Sequence, residues 1–381
     1  MDKLPAVFIH SDEIERFHYP PDSPFKTERA GRTKAILQSM GFYTGYNRAE
    51  VAPARAGDDD LAAFHTPEYI DAIKRVSKGD IRPSDLEMGV GVGDCPVFTG
   101  LYDYASLAVG ASLTAARCLL DGTAAVAFNP SGGFHHAFPD KAGGFCYFND
   151  IVIACDFLRR HGKKVFCLDL DAHHGNGTQA AFYSCRDVFT VSLHESGETL
   201  FPWGGFENET GEGEGKGFNV NLPFPAGTDD ETYLDAFKRI VLPLVDSFNP
   251  DIVVIEIGMD ILSVDPLTHL SMTNNVIADI LQQALVWRTP LLVTGGGGYS
   301  FEDTARGWAL AWCVLCGIEI EEDLYMGLGG VFLGNAEWSA GLRDKRVYIG
   351  TERKSVIGKN VGKSIEIIRE RVFPVHNIPL T

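Results

Sequence analysis

The chain changes from apolar to polar within one stretch, and this stretch decides the fold: Lys164-Val165-Phe166-Cys167-Leu168-Asp169-Leu170-Asp171-Ala172-His173-His174-Gly175-Asn176-Gly177. Its apolar first part is typical of a parallel strand that is buried on both faces. Carboxylates and imidazoles lose hydration when they are buried, so packing alone does not explain their density after the strand. The stretch therefore predicts a buried strand with a polar site at its carboxyl end.

Five more runs have the same apolar, β-branched character, at residues 7–10, 124–129, 188–193, 252–257 and 291–294. Stretches with helical spacing of apolar residues lie between or after them, at residues 104–120, 150–160, 232–248 and 305–315. Strands that alternate with helices predict an α/β domain with a mostly parallel sheet. The Gly-rich stretch 204–217, with its four glutamates, is expected to be a surface loop.

The length of 381 residues permits one large domain or several. We find no internal repeat of 20–50 residues and no low-complexity linker that would separate domains. Residues 1–381 are therefore expected to form a single domain. Polar residues that follow several parallel strands should meet at one edge of its sheet.

The chain carries 33 Lys and Arg against 51 Asp and Glu, a formal charge of −18. This charge repels nucleic-acid phosphates and attracts cationic partners such as Lys-rich tails or polyamines, although many cytosolic proteins are acidic for solubility alone. No apolar run of about 18 residues predicts a membrane span. The eight cysteines lie in apolar surroundings and the N-terminus lacks a secretory pattern, so a reducing, cytoplasmic location is expected.

The strand-end residues have the character of metal ligands. In an extended chain Asp171 and His173 point the same way, and Asp260 follows another buried strand. A catalytic zinc site needs three nitrogen or oxygen ligands and one open position. Aspartates can instead cap the helices that follow them. The set of two carboxylates and one imidazole favours metal binding.

Two more strand ends carry groups suited to proton transfer. His135 and His136 follow the strand at 124–129, and imidazole carries protons near neutral pH. Asp169 and Asn176 are placed to orient these rings through hydrogen bonds. Tyr299 follows four glycines, and its hydroxyl could donate to an oxyanion. The alternatives are an exposed histidine pair and a phosphate-binding glycine loop, but the loop lacks the Lys-Ser/Thr of a P-loop.

Four blocks of the sequence, in this order, resemble the signatures of the zinc-dependent histone deacetylase superfamily. They are residues 132–136 (GGFHH), 144–150 (GFCYFND), 169–177 (DLDAHHGNG) and 295–299 (GGGGY). Residues 93–96 and 265–267 match as well, and the resemblance extends from about Arg29 to Tyr299. The blocks resemble those of class I-like enzymes and of bacterial acetoin-utilisation deacetylases. The resemblance implies an arginase-like α/β fold with an open, mostly parallel eight-stranded sheet flanked by helices.

The resemblance also implies roles for individual residues. The zinc ligands (a site that can also take ferrous iron) are Asp171, His173 and Asp260. The catalytic residues are His135 with Asp169, His136 with Asn176, and Tyr299. The substrate-binding residues are Asp94 at the rim, Gly144, Phe145 and Phe201 in the tunnel, and Arg29 in an internal cavity. The ligands of a structural potassium ion are Asp169, Asp171, His173, Ser192 and Leu193.

One departure from the family pattern affects the expected chemistry. Many class I members have aspartate at the position of Asn176. An asparagine adds no negative charge beside His136, so this ring should be less basic than with aspartate. Tyr299 is retained, which favours catalysis.

The resemblance predicts removal of the acetyl group from acetyl-lysine in a protein or peptide. The first alternative is an acetylpolyamine or other N-acyl-amine deacetylase, although we find no long tunnel-narrowing insertion. A ureohydrolase with two bridged manganese ions would need further carboxylates where this chain has Gly175 and Leu262. A non-catalytic acyl-lysine binding module would not need His135, His136 and Tyr299. The oligomeric state stays open.

Overall fold

A computed structural model describes residues 5–320 and 341–380, and these residues contain an eight-stranded sheet. The strands are β1 (Ala6–Ile9), β2 (Arg48–Val51), β3 (Val126–Asn129), β4 (Val165–Asp169), β5 (Val188–Glu195), β6 (Asn219–Phe224), β7 (Ile252–Glu256) and β8 (Leu291–Thr294). Their order is β2-β1-β3-β8-β7-β4-β5-β6, and every pairing is parallel. The predicted α/β class and the eight-stranded sheet are confirmed.

The two edge strands, β2 and β6, were not predicted from the sequence. In β2 the side chains of Ala49 and Glu50 are exposed, so no apolar run marks the strand. In β6 the asparagines 219 and 221 alternate with apolar residues, and their side chains bond to Gln179. The exposed side chains of β2 weaken its apolar signal, whereas β6 is buried and its apolar run is interrupted by hydrogen-bonded asparagines.

Eleven α-helices lie within the described ranges. They are α1 (Arg29–Ser39), α2 (Asp58–Leu61), α3 (Pro67–Val76), α4 (Pro83–Glu87), α5 (Leu101–Leu120), α6 (Asp150–Arg160), α7 (Asn176–Phe182), α8 (Asp230–Phe248), α9 (Asn274–Val286), α10 (Phe301–Leu315) and α11 (Thr351–Val372). The four predicted helices correspond to α5, α6, α8 and α10. Their observed starts at residues 101, 230 and 301 precede the expected ones by up to four residues. None of the helices in these ranges combines the length and apolarity needed to cross a bilayer.

The helices cover both faces of the sheet. On one face α8, α9 and α10 bury apolar side chains against the strands, together with the α11 stripe Ile357, Val361, Ile365, Ile368 and Val372. A spacing of three and four residues places these apolar side chains on one side of the helix, where they can pack against one neighbour. On the other face α5 and α6 pack against the strands. The stretch at 204–217 is a loop with one short 3-10 turn at Gly213–Gly215, and Thr210 within it is buried.

The register of the central strands places their last residues in one row. Asn129 of β3 pairs with Thr294 of β8, Thr294 with Glu256 of β7, and Glu256 with Asp169 of β4. The segments that follow these four strands therefore emerge at the same edge of the sheet, where α/β proteins bind their ligands.

Candidate metal and catalytic site

Three side chains converge just beyond the ends of β4 and β7. Nδ1 of His173 lies 2.9 Å from Oδ2 of Asp260 and 3.2 Å from Oδ1 of Asp171. All three residues are buried, and one ligand atom from each lies within 4.8 Å of the others. Two carboxylate oxygens and one imidazole nitrogen form the type of set that binds a catalytic zinc ion. The structure thus brings together the three residues that the sequence predicted as metal ligands.

Backbone amides hold the two carboxylates in place. The Gly297 amide donates to Oδ2 of Asp171 at 2.6 Å, and the Ala172 amide donates to Oδ1 of Asp260 at 2.9 Å. A Cβ atom at position 297 would lie 1.9 Å from Oδ2 of Asp260, so only glycine lets the loop after β8 approach this closely. Such contacts fix the orientation of metal ligands and tune their affinity.

The electrostatics of this cluster favour a cation. Burial alone lowers the pKa of His173, but hydrogen bonds to Asp171 and Asp260 outweigh burial and raise the pKa to about 10. The two buried carboxylates thus stabilise positive charge at the point where they meet the imidazole. A divalent metal ion fits this donor set and this charge.

A second candidate cluster lies beyond β1 and consists of His10, Asp12 and Glu15. The Lys34 ammonium lies 3.0 Å from Oδ1 of Asp12, so this cluster already has a cationic partner. Asp12 is also largely exposed, with 78% of its side chain accessible. A metal is therefore better placed at Asp171, His173 and Asp260.

The histidine pair forms a short chain of hydrogen bonds. Nδ1 of His135 lies 2.9 Å from Oδ2 of Asp169, Nε2 of His135 lies 3.1 Å from Nε2 of His136, and Nδ1 of His136 lies 2.9 Å from Oδ1 of Asn176. Two assignments of protons satisfy all three contacts, and the one with a protonated His135 agrees with the directions of the two pKa shifts. In it His135 donates from both nitrogens, and His136 donates from Nδ1 and accepts at Nε2. Asp169 and Asn176 thus lie where the sequence analysis expected them.

The two imidazoles have opposite pKa shifts. Burial lowers the pKa of His136 well below its usual value, and positive charge on His135 and His173 lowers it further. Burial also disfavours charge on His135, but Glu256 and Asp169 outweigh it and raise that pKa well above its usual value. Near neutral pH the pair therefore contains a neutral ring that can accept a proton and a protonated ring beside it.

Glu256, the last residue of β7, belongs to this site, and the sequence analysis did not single it out. Its side chain is fully buried, and Oε2 lies 3.0 Å from Nδ1 of His135. Together with His135 and Asp169 it forms a third cluster of possible metal ligands. The signal was present in the sequence, because one carboxylate interrupts an apolar strand that is buried on both faces, and such a charge needs a partner.

The start of α6 holds the loop that carries the histidine pair. Oδ1 of Asp150 accepts hydrogen bonds from the amides of Phe134 at 2.8 Å and Gly133 at 3.1 Å, before the pair. Nδ2 of Asn149 donates to the Ala137 carbonyl at 3.2 Å, after the pair. Asp150 is fully buried. The first turn of α6 therefore holds the chain on both sides of the pair.

Replacing Asp150 by alanine is expected to lower the free energy of unfolding by about 2–3 kcal/mol, because two buried amides lose their acceptor. Thermal denaturation followed by calorimetry measures this as a fall in Tm. The variant Asp150→Asn keeps one acceptor oxygen and should lose less. An unchanged Tm for Asp150→Ala would show that the loop is held by other contacts.

Tyr299 lies beside the metal cluster at the end of the glycine segment 295–298. Its amide donates to Oδ2 of Asp265 at 2.8 Å, and its ring centroid lies 6.3 Å from that of His173. Burial and the nearby Asp260 raise the pKa of Tyr299 well above its usual value. The side chain therefore stays a neutral phenol with a proton to donate.

Aromatic and rim residues surround the approach to these groups. The Phe201 ring centroid lies 5.0 Å from that of His136, and the Phe145 ring lies 5.5 Å from Tyr299. Both phenylalanines are half-buried. The Gly144 amide donates to Oδ2 of Asp94 at 2.9 Å, which joins two loops. The structure thus places the four predicted substrate-binding residues Asp94, Gly144, Phe145 and Phe201 around the site.

Arg29, at the start of α1, is buried behind the glycine segment. Its Nη1 donates to the Gly298 carbonyl at 2.9 Å, and its guanidinium carbon lies 4.3 Å from the Phe25 ring centroid and 4.8 Å from that of Trp308. In the described part of the chain it forms no ion pair. Burial lowers its pKa, but not enough to remove the charge of a guanidinium. A buried positive charge therefore lies next to the residue that precedes Tyr299.

The residues predicted to bind potassium lie at the ends of β4 and β5. Asp169 pairs with Ser192 in the sheet register, and the Leu193 carbonyl accepts a hydrogen bond from the Tyr233 hydroxyl at 3.1 Å. Asp171 and His173 follow Asp169 by two and four residues. The structure brings these residues together, and the identity of the ion stays a prediction.

Comparison with known proteins places this site in a wider group. The family described as "Histone deacetylase domain" matches residues 23–315. The chain is 35% identical over 322 residues to the acetoin utilization protein AcuC of Bacillus subtilis, covering 82% of this chain and 83% of that protein. It is 36% identical over 325 residues to histone deacetylase 8 of Xenopus tropicalis, covering 85% and 87%.

Solved structures show the same fold. A crystal structure of an HDAC homolog complexed with SAHA superposes with a TM-score of 0.86 at 30% identity, covering 97% of this chain and 100% of that one. A crystal structure of an HDAC homolog from Aquifex aeolicus superposes with a TM-score of 0.85 at 29% identity, covering 96% and 100%. The arginase-like architecture expected from the sequence is therefore confirmed.

Proposed function

The chain belongs to the histone deacetylase family and is a hydrolase, and on that premise we propose that it hydrolyses the amide of acetyl-lysine in a protein or peptide. One observation carries the proposal. A buried set of possible zinc ligands lies beside a neutral imidazole that can accept a proton and a phenol that can donate a hydrogen bond. The proposal treats residues 1–381 as one catalytic domain, since a single sheet positions every residue of this site.

Asp171, His173 and Asp260 would hold the metal, which we propose to be zinc. When bound, zinc supplies a Lewis acid that polarises the amide carbonyl and lowers the pKa of water. Ferrous iron is the alternative, because imidazole and carboxylate ligands also suit it. We further propose that the potassium ligands are those predicted from the sequence: Asp169, Asp171, His173, Ser192 and Leu193.

The proton steps fall to His136. Its neutral Nε2 would exchange the hydrogen bond from His135 for the attacking water, take a proton from that water and later return it to the departing lysine amine. His135 would orient this ring and contribute its positive charge. The Tyr299 hydroxyl would donate to the oxygen of the amide carbonyl as negative charge develops there.

The surrounding residues would place the substrate. Phe145 and Phe201 would enclose the aliphatic stem of acetyl-lysine, while Asp94 would accept a hydrogen bond from the substrate backbone. Hydrolysis forms acetate, an anion. Arg29 offers this product a counter-charge behind the site, since the guanidinium has no carboxylate partner among the described residues.

Acetate release tests the proposal. The purified protein is incubated with an acetyl-lysine peptide and, separately, with acetylspermidine, and a hydroxamate inhibitor and metal analysis are applied to the same sample. Hydroxamate-sensitive release from the peptide supports a lysine deacetylase. Release from acetylspermidine alone would favour the polyamine reaction, which the net charge of −18 also suits. Peptide binding without release would indicate a binding module.

Replacing Glu256 by glutamine is expected to move the basic limb of the pH profile of kcat/KM to lower pH. Burial and Asp169 raise the pKa of Glu256 well above its usual value, but once ionised Glu256 raises the pKa of His135, and an amide of the same shape removes that charge. The pKa of His135 therefore falls. Since the protonated ring is the active form in this scheme, activity is lost at a lower pH.

The matched control is Glu195→Gln, because Glu195 is an equally buried carboxylate that pairs with His269, away from the histidine pair. This variant should leave the basic limb where it is in the original protein. If Glu256→Gln also leaves it unchanged, the charge of His135 does not limit the rate.

A further inference from the structure

Trp203 is exposed in a backbone conformation that a large residue rarely adopts. Its side chain is 65% exposed, whereas Trp308 and Trp312 are fully buried. Its φ angle is 63°, in the left-handed region. For a bulky side chain this region is disfavoured, because Cβ crowds the neighbouring carbonyl oxygen.

The fold gains little from a tryptophan at this position. An exposed indole removes little apolar surface from water, and glycine would adopt the same φ angle without strain. The next residues are Gly204 and Gly205, and Gly205 has a φ angle of 81°. A side chain that neither fills the core nor suits its backbone points to a role in binding.

Trp203 is close to the candidate site through its neighbour Phe201. It follows Phe201, the phenylalanine beside His136, by two residues, so their Cα atoms are at most about 7 Å apart. The Trp203 amide donates to the Leu200 carbonyl at 3.1 Å, which closes the turn that carries both aromatic residues.

Other loops near the site also expose apolar side chains. Val92 is 41% exposed and lies two residues before Asp94, while Val264 and Leu267 are 57% and 37% exposed. Val264 and Leu267 lie on either side of Asp265, which accepts a hydrogen bond from the Tyr299 amide. We define Val92, Trp203, Val264 and Leu267 as the apolar rim. Single exposed apolar residues are ordinary, but these four lie on three loops that each carry a residue of the candidate site or a direct contact of one.

We propose that Trp203 contacts the side chain next to acetyl-lysine in an extended peptide, and that the apolar rim selects peptides with an apolar residue there. This inference rests on the proposed function and names its substrate class. With the lysine stem in the channel, the neighbouring residues of a peptide must lie at the mouth. An acetylpolyamine has no such side chains, and its ammonium groups need carboxylates. The four residues of the apolar rim supply no carboxylate.

The experiment compares the original protein with Trp203→Gly and Trp203→Phe. The substrates are three acetyl-lysine peptides and acetylspermidine. The peptides differ only in the residues next to acetyl-lysine, which are leucine, glycine or arginine. For Trp203→Gly, kcat/KM on the leucine peptide should fall about tenfold through KM, the size of a lost aromatic contact. The glycine peptide should change less than twofold, and Trp203→Phe should restore most of the loss.

Two controls separate binding from folding. Glycine suits a φ angle of 63°, so the Tm of Trp203→Gly should not fall. Tyr46→Ala removes another exposed aromatic residue, 97% accessible, at the start of β2 and therefore at the opposite edge of the sheet. This variant should leave the preference for leucine intact. A clear fall in Tm for Trp203→Gly would assign Trp203 a structural role and overturn the inference.

The remaining outcomes are equally distinct. An equal loss on all substrates would show that Trp203 shapes the channel, and a loss confined to the arginine peptide would show a cationic partner. Either result overturns the apolar preference. Turnover of the peptides with no effect of Trp203→Gly overturns this inference and leaves the proposed function standing. If the original protein releases acetate from none of the peptides, the proposed function fails, and this inference fails with it.

Discussion

Replacing Tyr299 by phenylalanine is expected to lower kcat by about 10²- to 10³-fold, which corresponds to about 3–4 kcal/mol of transition-state stabilisation. The variant removes one hydroxyl and keeps the ring. Burial holds the phenol neutral, so its proton is available to a developing oxyanion throughout the physiological pH range. The hydroxyl is not part of the metal cluster, so the metal content should not change.

Steady-state kinetics on an acetyl-lysine peptide measure this effect, with metal analysis of the same preparation. Tyr69→Phe is the matched control, because the buried Tyr69 hydroxyl donates to the Tyr147 carbonyl, away from the site. The kcat of this control should stay within a few-fold of the value for the original protein. Unchanged turnover in Tyr299→Phe would remove Tyr299 from the mechanism.

Replacing Asp171 by alanine is expected to abolish both metal binding and activity. Asp171 supplies one of the three converging ligand groups. It also accepts a hydrogen bond from the Gly297 amide, and this bond joins the glycine segment to the cluster. Removing one ligand of a three-ligand site lowers the affinity for the metal far more than replacing a residue that only contacts a ligand. Elemental analysis after dialysis should find little metal, and acetate release should fall below detection.

Asp12→Ala is the informative control, because Asp12 belongs to the cluster beyond β1. This variant should retain the metal and the activity. If it loses the metal while Asp171→Ala keeps it, the metal site lies with His10 and Glu15 instead. Loss in both variants would indicate two metal ions per chain.

The sequence predicted the central strands well because each is a continuous apolar run buried on both faces. It also predicted which strand ends carry chemistry, because residues such as Asp171 and His173 have no packing role there. Parallel strands end at one edge, so the convergence of these residues followed from the fold class alone. The individual ligand and catalytic roles remain proposals.

Other features depend on contacts between distant segments and left a weaker trace. Asp150 holds the histidine loop through backbone amides, and an aspartate at the start of a helix is ordinarily explained as a favourable charge at the helix terminus. Glu256 has a partner only because the loop after β3 brings His135 over the end of β7. Trp203 is notable for its exposure and its φ angle, and neither can be read from the residue type.

The position of β8 has a consequence for how the protein is made. It is the last of the eight described strands in the chain, yet it lies between β3 and β7 and joins the two parts of the sheet. Until residues 291–294 leave the ribosome, the other seven strands can pair only as two separate half-sheets, and unpaired strand edges are prone to aggregation. The half with β4 and β7 carries all three proposed metal ligands, whereas the histidine pair belongs to the other half. Biosynthesis can therefore assemble the ligands before the proton-transfer groups reach them, and insertion of one strand completes the site.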